Sequence, residues 1–497
     1  MSTATNALQS KKLGTTPIGK LIFQMSGPAI LSMLVQALYN IVDSIFIGAY
    51  DPQNGVLALS YAMPMQLLVN AFAIGLAVGT GSLISRLLGE GKNEDAGLAS
   101  QTGILLSLIV SAFFAITGYF ISDAFVRAYT LGSSGDPVQM QTVYKMSSTY
   151  LTICTCCSFG MMVEIMFNRI LQSMGNMIVP MITQLAGALT NIALDPLLIS
   201  VAKLGATGAA IATVAGQILA MCIPIAVIVI KRSKWDIRIL FSKGFKLKKR
   251  ILIDIMRVGL PTIVLNSIGS IMYMIANSIL NRSADAVWAF GIFFKLQSFA
   301  FMPCFGLNQG CIPIMGYNYG ANNRPRFEKT FKLAMLIAFC YMFAVLIIFH
   351  SMPDVLLKMF SVGDDANRMY IGCKALRLCS ICFIPAPFSV IMIAMFNSVG
   401  HGIKAMLISL LRQICILLPL GYVLCTYTPL GFDGFWMSFP IAETLAVLIF
   451  IPVAINTVNK IFRHKSAALD VQNEQVSIDF DAAQAVASDV VGDEENR

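Results

Sequence analysis

The sequence predicts an all-α polytopic membrane protein, with twelve transmembrane helices in two pseudo-symmetric six-helix lobes. Three observations predict this fold class. Of the 497 residues, 57% are hydrophobic and only 12% are charged, which is about half the charged share of a typical soluble protein. Apolar segments of helical length follow one another along almost the whole chain. The second half of the chain also repeats landmarks of the first half.

The apolar segments predict helices rather than barrel strands. A spanning helix needs about 20 mostly apolar residues, whereas barrel strands alternate apolar and polar residues over about ten. The segments here are longer and more evenly apolar, and a helix satisfies its own backbone polar groups in hydrocarbon. The predicted spans are 22–49, 57–88, 97–121, 140–171, 177–201, 206–231, 251–281, 286–319, 329–350, 368–397, 402–427 and 434–461.

Charge between the segments predicts the orientation of the chain. The stretch from Lys231 to Arg250 holds 9 lysines and arginines, while loops on the opposite side are poorer in basic residues. Because cytoplasmic loops are enriched in Lys and Arg, we expect a multi-pass protein of the cell inner membrane with both termini in the cytoplasm. The predicted parts are a cytoplasmic segment 1–18, lobes 19–231 and 250–463, a basic linker 232–249 and an acidic, disordered cytoplasmic tail 464–497.

The two lobes share landmarks in the same order. Pro28 corresponds to Pro261, and Pro196 in "LDPLL" corresponds to Pro419 in "LLPLG". Three glycines recur at one constant offset, namely Gly75, Gly79 and Gly89 in the first half and Gly306, Gly310 and Gly320 in the second. Parallel repeats of this kind suit alternating access around a central interface. A proline favours a helix bend, so Pro28 is a candidate hinge, with a static kink as the equal alternative.

Acidic side chains inside the predicted helices indicate function. An Asp at the membrane centre costs about 2.5–3.5 kcal/mol on insertion scales, so it needs a partner, a proton, an ion or a function. Asp43 and Asp195 fall in the outer halves of two helices that run in the same direction. Asn191 lies one turn before Asp195, and Thr213 is on the next helix. These oxygens suit Na⁺ or protons, so we predict a cation-coupling site that is a metal site only if Na⁺ is the coupling ion.

The repeat confines this predicted site to the first lobe. Ala276 and Leu418 stand opposite the two acids in the second half, so the fold itself does not require the acids. The alternative explanation is an Asp near a helix end that lipid headgroups hydrate. Glu443, which stands opposite Gln217 of the first half, remains a candidate in the second lobe.

Polar residues near Asp43 predict a cavity that leads to it. Tyr39 lies one turn before Asp43, and Gln36 lies two turns before it, on roughly the same helix face. Contact with a substrate and a hydrogen bond to another helix explain these two residues equally well.

Several segments together resemble the multidrug and toxic compound extrusion (MATE) family over residues 16–463. They are "GPAILSMLVQALYNIVDSIFIG", "GLAVGTGSLISRLLGEGK", "NIALDPLLI", "GAAIATVAGQ" and "FGLNQGCIPIMGYNYGA". The resemblance implies two lobes around a central cleft and exchange of H⁺ or Na⁺ for an outgoing amphipathic, often cationic, compound. In a prokaryotic branch of the family the cation site lies in the first lobe, and the matching positions are Asp43, Asn191, Asp195 and Thr213. Tyr39, Tyr150 and Asn168 match positions associated with its polar cavity.

We therefore expect a secondary efflux transporter that acts as a monomer in the lipid bilayer and needs no cofactor. The alternative is a flippase for a lipid-linked precursor, whose cleft should be strongly basic to hold a diphosphate. Only a few basic residues, such as Lys295, Arg377 and Arg412, fall within the helices. The sequence shows no pair of nucleophile and base that would indicate an enzyme. It also shows no basic, aromatic-rich surface that would indicate a nucleic-acid partner.

Overall fold

A computed structural model describes residues 8–51, 54–130, 137–231, 235, 237–240, 246–358 and 366–495. Helices and loops account for all of these residues, and no strand occurs among them. The first-lobe helices, after the short α1 (Leu8–Thr15), are α2 (Ile18–Tyr50), α3 (Gly55–Gly89), α4 (Asn93–Thr130), α5 (Pro137–Cys156), α6 (Phe159–Ser173), α7 (Ile178–Asp195) and α8 (Ala206–Ile230). The second-lobe helices are α9 (Lys249–Leu280), α10 (Ala284–Gly320), α11 (Arg324–Ser351), α12 (Pro353–Lys358), α13 (Ala366–Ser380), α14 (Ala386–Ser398), α15 (Gly402–Leu410), α16 (Leu418–Tyr427) and α17 (Phe432–Glu495).

The number of membrane spans agrees with the prediction when bent helices are counted as single spans. Ten helices in the described part of the chain are long and apolar enough to cross a membrane, and two bent pairs raise the number to 12. The pair α5 and α6 bends by 45°, and the pair α13 and α14 bends by 44°. The sequence predicted one continuous helix over 140–171 and another over 368–397, so neither bend was predicted.

Each bend coincides with a local feature that favours bending. Between α13 and α14, Pro385 and Pro387 lack the N–H groups that would continue the helical hydrogen bonds. No proline lies between α5 and α6. There, the Thr155 hydroxyl donates to the carbonyl oxygen of Leu151 over 2.7 Å, and such bonds from Thr to its own helix often bend the helix.

Each lobe also contains a π-helical turn beside one of the repeated prolines. The first turn, Pro196–Val201, continues α7 directly after Asp195. The second turn, Leu411–Leu417, joins α15 to α16 and ends two residues before Pro419. π turns are rare and frequently lie at functional sites. The repeated prolines therefore mark the place where the fifth span of each lobe departs from α-helical geometry.

The lobes meet closely at the inner end, which we define as the end that carries the linker between α8 and α9. Helix α3 of the first lobe packs against α9, and α10 of the second lobe packs against α2. A methyl group added at Gly75 would lie 2.8 Å from the carbonyl oxygen of Gly259, and one at Gly306 would lie 2.7 Å from the Cα of Ile30. Gly89 and Gly320 touch each other in the same way.

We call these close crossings the inner seal. Its glycines are those that recur between the halves, Gly75, Gly79, Gly89, Gly306, Gly310 and Gly320. The Ser82 hydroxyl also donates across the seal to the carbonyl oxygen of Asn397. The repeated glycines therefore allow the two lobes to pack backbone against backbone at one end of the molecule.

Helical structure extends into both terminal segments. Helix α1 packs against α10, and the Arg326 guanidinium donates to the carbonyl oxygens of Leu13 and Thr16 over 3.3 and 2.7 Å. Helix α17 continues to Glu495, over the tail that the sequence predicts to be disordered. No proline or glycine occurs from Val453 to Val491, so nothing in that stretch stops a helix. Part of the basic linker lies outside the described residues.

Candidate cation and substrate site

A cavity of about 80 Å³, measured as space open to the centres of water molecules, lies inside the first lobe. Five helices contribute to it, α2, α3, α6, α7 and α8. Its polar lining residues are Gln36, Asn70, Glu164, Gln184, Asn191, Thr213 and Gln217. Its other lining residues are Met161, Ile165, Gly187, Ala188, Gly216 and Ala220. A cavity with both kinds of surface in one lobe suits an amphipathic ligand.

Asp195 lies at the junction of α7 with its π turn and is completely buried. Neither carboxylate oxygen of Asp195 has a hydrogen-bond partner among the described residues. A buried carboxylate without partners is costly unless it binds a proton or a cation. The helix-end alternative, in which headgroups hydrate the acid, does not fit a side chain with no exposed surface.

Asn191 and Thr213 are brought together as the sequence predicted. The Asn191 amide nitrogen donates to the Thr213 hydroxyl over 3.3 Å, and both residues line the cavity. This contact is possible because α7 and α8 cross closely. A methyl group at Gly216 would lie 2.7 Å from the carbonyl oxygen of Gly187. The amide oxygen of Asn191 is buried and has no hydrogen-bond partner in the part of the chain that the structure describes, so it is available to a cation.

Together, Asp195 and Asn191 offer three buried oxygens that have no hydrogen-bond partner among the described residues, two from Asp195 and one from Asn191. Oxygen atoms of this kind suit Na⁺, and a carboxylate alone suits a proton. The backbone of Asp43 and Tyr39 lies in α2, which packs against α7. The side chains of Asp43 and Tyr39 lie outside the described residues, so the predicted pairing of Asp43 with Asp195 stays a prediction.

The other predicted cavity residues divide into three groups. Gln36 lines the cavity. Asn168 lies next to it, because its amide nitrogen donates to Glu164 over 3.2 Å. Tyr150 is buried in an apolar cluster with Ile47 and neighbouring side chains, and its hydroxyl accepts a hydrogen bond from Gln66 over 3.3 Å. The structure therefore places Tyr150 in helix packing rather than on this cavity.

Pro28 lies inside α2, which continues unbroken through it. The Ser32 hydroxyl donates to the Pro28 carbonyl oxygen over 2.9 Å. Helix α2 both lines the cavity and packs against α10 at the inner seal. A bend at Pro28 would therefore act on both regions, and its role as a hinge stays a prediction.

Glu164 is the site residue that the sequence did not assign, although it was one of the few acids within a helix. It lies on α6, is 5% exposed and lines the cavity. The Gln184 amide donates to it over 2.7 Å. An acid inside a predicted helix was the available signal. The closer of its two amide partners, Gln184, lies on a different helix, 20 positions away.

The second-lobe candidate, Glu443, has a different environment. The guanidinium of Arg412 donates to both carboxylate oxygens of Glu443, over 3.0 and 2.9 Å. The Arg412 side chain is 17% exposed and the Glu443 side chain is 8% exposed. Glu443 is therefore compensated by a cation of the protein itself, and its proposed role as a second cation site is not supported by this geometry.

Comparison with known proteins places this geometry in a family. The sequence model of the MatE family matches residues 28–197 and 261–423, one segment in each lobe and together more than half of the chain. The multidrug export protein MepA of Staphylococcus haemolyticus is 24% identical over 461 residues, covering 92% of this chain and 97% of that protein. MepA of Staphylococcus aureus is 25% identical over 439 residues, covering 87% and 92%.

A solved structure shares the fold over nearly its whole length. It is described as the outward-facing conformation of a multidrug resistance MATE family transporter of the MOP superfamily, with a TM-score of 0.85 and 25% identity. The match covers 92% of this chain and 99% of that one. The predicted all-helical, two-lobed membrane fold is therefore confirmed.

Proposed function

This chain belongs to the MatE family of efflux transporters, and we propose that it exports amphipathic, cationic small molecules in exchange for H⁺ or Na⁺. The observation that carries the proposal is Asp195, a fully buried carboxylate whose two oxygens have no partner among the described residues. Such a group favours binding a cation. The names of the MepA relatives, multidrug export proteins, support a broad range of small-molecule substrates.

The proposed cycle follows from the cost of the uncompensated charge. A cation that enters from outside neutralises Asp195, with Asn191 and Thr213 supplying further oxygens and Asp43 expected nearby. Neutralisation changes which packing of the first lobe is more stable, and a ligand shifts a conformational equilibrium only through such a difference. Helix α2 then bends near Pro28, the cavity shrinks and the substrate leaves outward.

The inner seal supports an alternating-access cycle. In this structure the lobes pack backbone against backbone at the inner end, so access from that side requires these crossings to separate. We propose that the inner end faces the cytoplasm, because the basic linker lies there and cytoplasmic loops are rich in Lys and Arg. A carboxy-terminal fluorescent protein that matures only in the cytoplasm tests this orientation, and a dark fusion would contradict it.

The flippase alternative is not favoured by the second-lobe geometry. A diphosphate would need free cationic side chains in the helices. Arg412, one of the few basic residues there, is bonded to both oxygens of Glu443. Among the described residues, this arginine is therefore already compensated by a carboxylate of the protein itself.

The experiment is export of rhodamine 6G from proteoliposomes under an imposed H⁺ gradient or an imposed Na⁺ gradient. We expect one or both gradients to drive export by the wild type. Asp195→Asn should reduce gradient-driven export to the background of empty liposomes. The asparagine amide carries no negative charge, so it cannot take up the coupling cation. Asp43→Asn should act in the same direction.

Asp95→Asn is the matched control. Asp95 lies in the same lobe, at the start of α4, and forms a solvent-exposed ion pair with Lys248, which contributes little to stability. Wild-type export by Asp195→Asn would contradict the assigned site. Absence of export under both gradients, with folded wild-type protein, would contradict the proposed antiport.

A further inference from the structure

The cavity is lined by an acid, Glu164, that the coupling site does not use. Glu164 is 5% exposed and lines the cavity. Both of its hydrogen bonds reach the same oxygen, Oε1, from the amides of Gln184 and Asn168 over 2.7 and 3.2 Å. Amides orient the carboxylate but do not neutralise it. None of the lysines or arginines in the described ranges forms an ion pair with Glu164.

The nearest cation along the chain does not compensate Glu164. Arg169 follows five residues later on α6, which turns it to another side of the helix. Its aliphatic stem lies against Gly81 of α3, where an added methyl group would be 2.6 Å from Cγ. The Glu164 carboxylate therefore faces a cavity whose other polar lining residues are neutral, namely Gln36, Asn70, Gln184, Asn191, Thr213 and Gln217.

Glu164 is also well separated from Asp195. Its partner Gln184 precedes Asp195 by eleven positions on α7, and a rise of 1.5 Å per residue puts them roughly 16 Å apart along the helix axis. One proton or one Na⁺ cannot bridge carboxylates at that separation. The two acids therefore occupy different levels of the lobe, with Glu164 nearer the inner seal.

The surroundings of Glu164 fit one part of an amphipathic cation. On α6, Met161 and Ile165 flank it and line the cavity, and a flexible thioether adapts to apolar groups of different shape. A compound whose apolar body lies on these side chains would direct its positive group to the carboxylate. A buried charge is stabilised when it is paired and hydrogen-bonded, so the ligand supplies the counter-charge that the protein lacks.

We propose that Glu164 binds the cationic group of the exported compound and so determines a preference for cations over neutral compounds of the same shape. The inference rests on the proposed export function, but assigns a role different from that of Asp195. Glu164 recognises the substrate, whereas Asp195 takes up the coupling cation. Gln184 and Asn168 are positioning residues that fix the carboxylate.

The test compares two probes that share one ring system. N-methylacridinium carries a permanent positive charge, and acridine is neutral at mildly alkaline pH. Binding of each probe to the purified full-length protein is measured by fluorescence anisotropy for the wild type and for Glu164→Gln. We expect Glu164→Gln to weaken N-methylacridinium binding roughly ten- to hundredfold, the value of a hydrogen-bonded charge contact, and to leave acridine binding within about twofold of wild type.

Glu164→Gln is a conservative variant, because a glutamine oxygen can still accept from Gln184 and Asn168. Glu94→Gln is the matched control, since Glu94 is exposed in the first turn of α4 in the same lobe. Equal N-methylacridinium binding by Glu164→Gln and the wild type would overturn the proposal. A wild type that binds acridine as tightly as N-methylacridinium would overturn it as well.

A transport measurement separates this proposal from the function on which it rests. In proteoliposomes, Glu164→Gln should lose export of N-methylacridinium and keep gradient-driven export of acridine, whereas Asp195→Asn should lose both. Loss of both probes in Glu164→Gln would place Glu164 in cation coupling and contradict its role in substrate recognition. Normal export by Asp195→Asn would instead count against the coupling site, and the binding assay would still judge Glu164.

Discussion

The two lobes hold their buried acids in opposite ways. In the first lobe, Asp195 is completely buried and its oxygens have no partner in the described structure. In the second lobe, Glu443 is almost as buried but both of its oxygens accept from Arg412. Both charged groups are associated with the π turn of their lobe. Asp195 directly precedes the first π turn, and Arg412 lies within the second.

The interiors of the lobes differ in the same sense. The first lobe has a cavity with polar lining on five helices. The second lobe has an aromatic core around Phe290, whose ring centroid lies 5.3 Å from that of Tyr273, 5.9 Å from Phe435 and 6.5 Å from Trp436. Among the described residues, one repeated scaffold therefore carries an uncompensated buried acid in one copy and a compensated buried acid in the other. On the basis of this difference, we propose that ligands bind in the first lobe.

The largest expected change in stability follows from breaking the second-lobe pair. Arg412→Met leaves the Glu443 carboxylate buried without its cation, which we expect to cost about 3–5 kcal/mol of unfolding free energy. Asp195→Asn removes a charge that has no partner among the described residues, so its unfolding midpoint should be equal to or above that of the wild type. Thermal unfolding of the detergent-solubilised variants measures both effects.

The control replaces both members of the pair. Arg412→Met combined with Glu443→Leu removes the buried charges together, and such replacements are often neutral or stabilising. The double variant should therefore recover most of the stability that Arg412→Met loses. An Arg412→Met protein as stable as the wild type would show that the ion pair does not hold the second lobe together.

Much of the architecture was predictable from the sequence, because it depends on local rules. Apolar length determines the spans, and the constant offset of Gly75, Gly79 and Gly89 from their second-half partners revealed the repeat, although only the structure shows that these glycines form the inner seal. The four-residue spacing of Asn191 and Asp195 predicted a shared helix face. The bend after Cys156 was not predictable in this way, since no proline marks it.

The missed parts of the site depend on contacts between helices. Glu164 was recognisable as a buried acid, but its partner Gln184 comes from another helix and is brought near only by tertiary packing. Arg412 and Glu443 were each noted separately, and sequence gave no reason to pair them across 31 positions. The role expected for Tyr150 came from resemblance alone, and its hydroxyl is directed to Gln66 instead.

An intermediate effect is expected where the lobes meet. A methyl group at Gly79 would overlap the backbone of α9 at Ile255 and Gly259. Overpacking of this kind costs about 1–3 kcal/mol, so Gly79→Ala should disfavour the closed inner seal and increase the labelling of cysteines introduced beside it. Gly27→Ala is the matched control, because a methyl group there meets no neighbour within 4 Å. Equal labelling of Gly79→Ala and Gly27→Ala would contradict the assigned seal.

The smallest effect is expected within the first-lobe site. Thr213→Val keeps the shape of the side chain but removes the hydroxyl that accepts from Asn191, which should cost about 0.5–1.5 kcal/mol of unfolding free energy and weaken cation binding. Thr190→Val is the control, because the Thr190 hydroxyl bonds only to the carbonyl oxygen of Ala186 on its own helix. If the two variants were equally stable and bound the cation equally well, Thr213 would have no part in the site.

Direct measurement of cation binding tests the contrast between the lobes most closely. Purified protein in weakly buffered detergent solution is titrated with ²²Na⁺, and proton release on addition of N-methylacridinium is followed in parallel. We predict that Asp195→Asn loses the Na⁺ binding or the proton release that the wild type shows, while the double variant of Arg412 and Glu443 retains it. Wild-type cation binding by Asp195→Asn, or its loss in the double variant, would contradict the account.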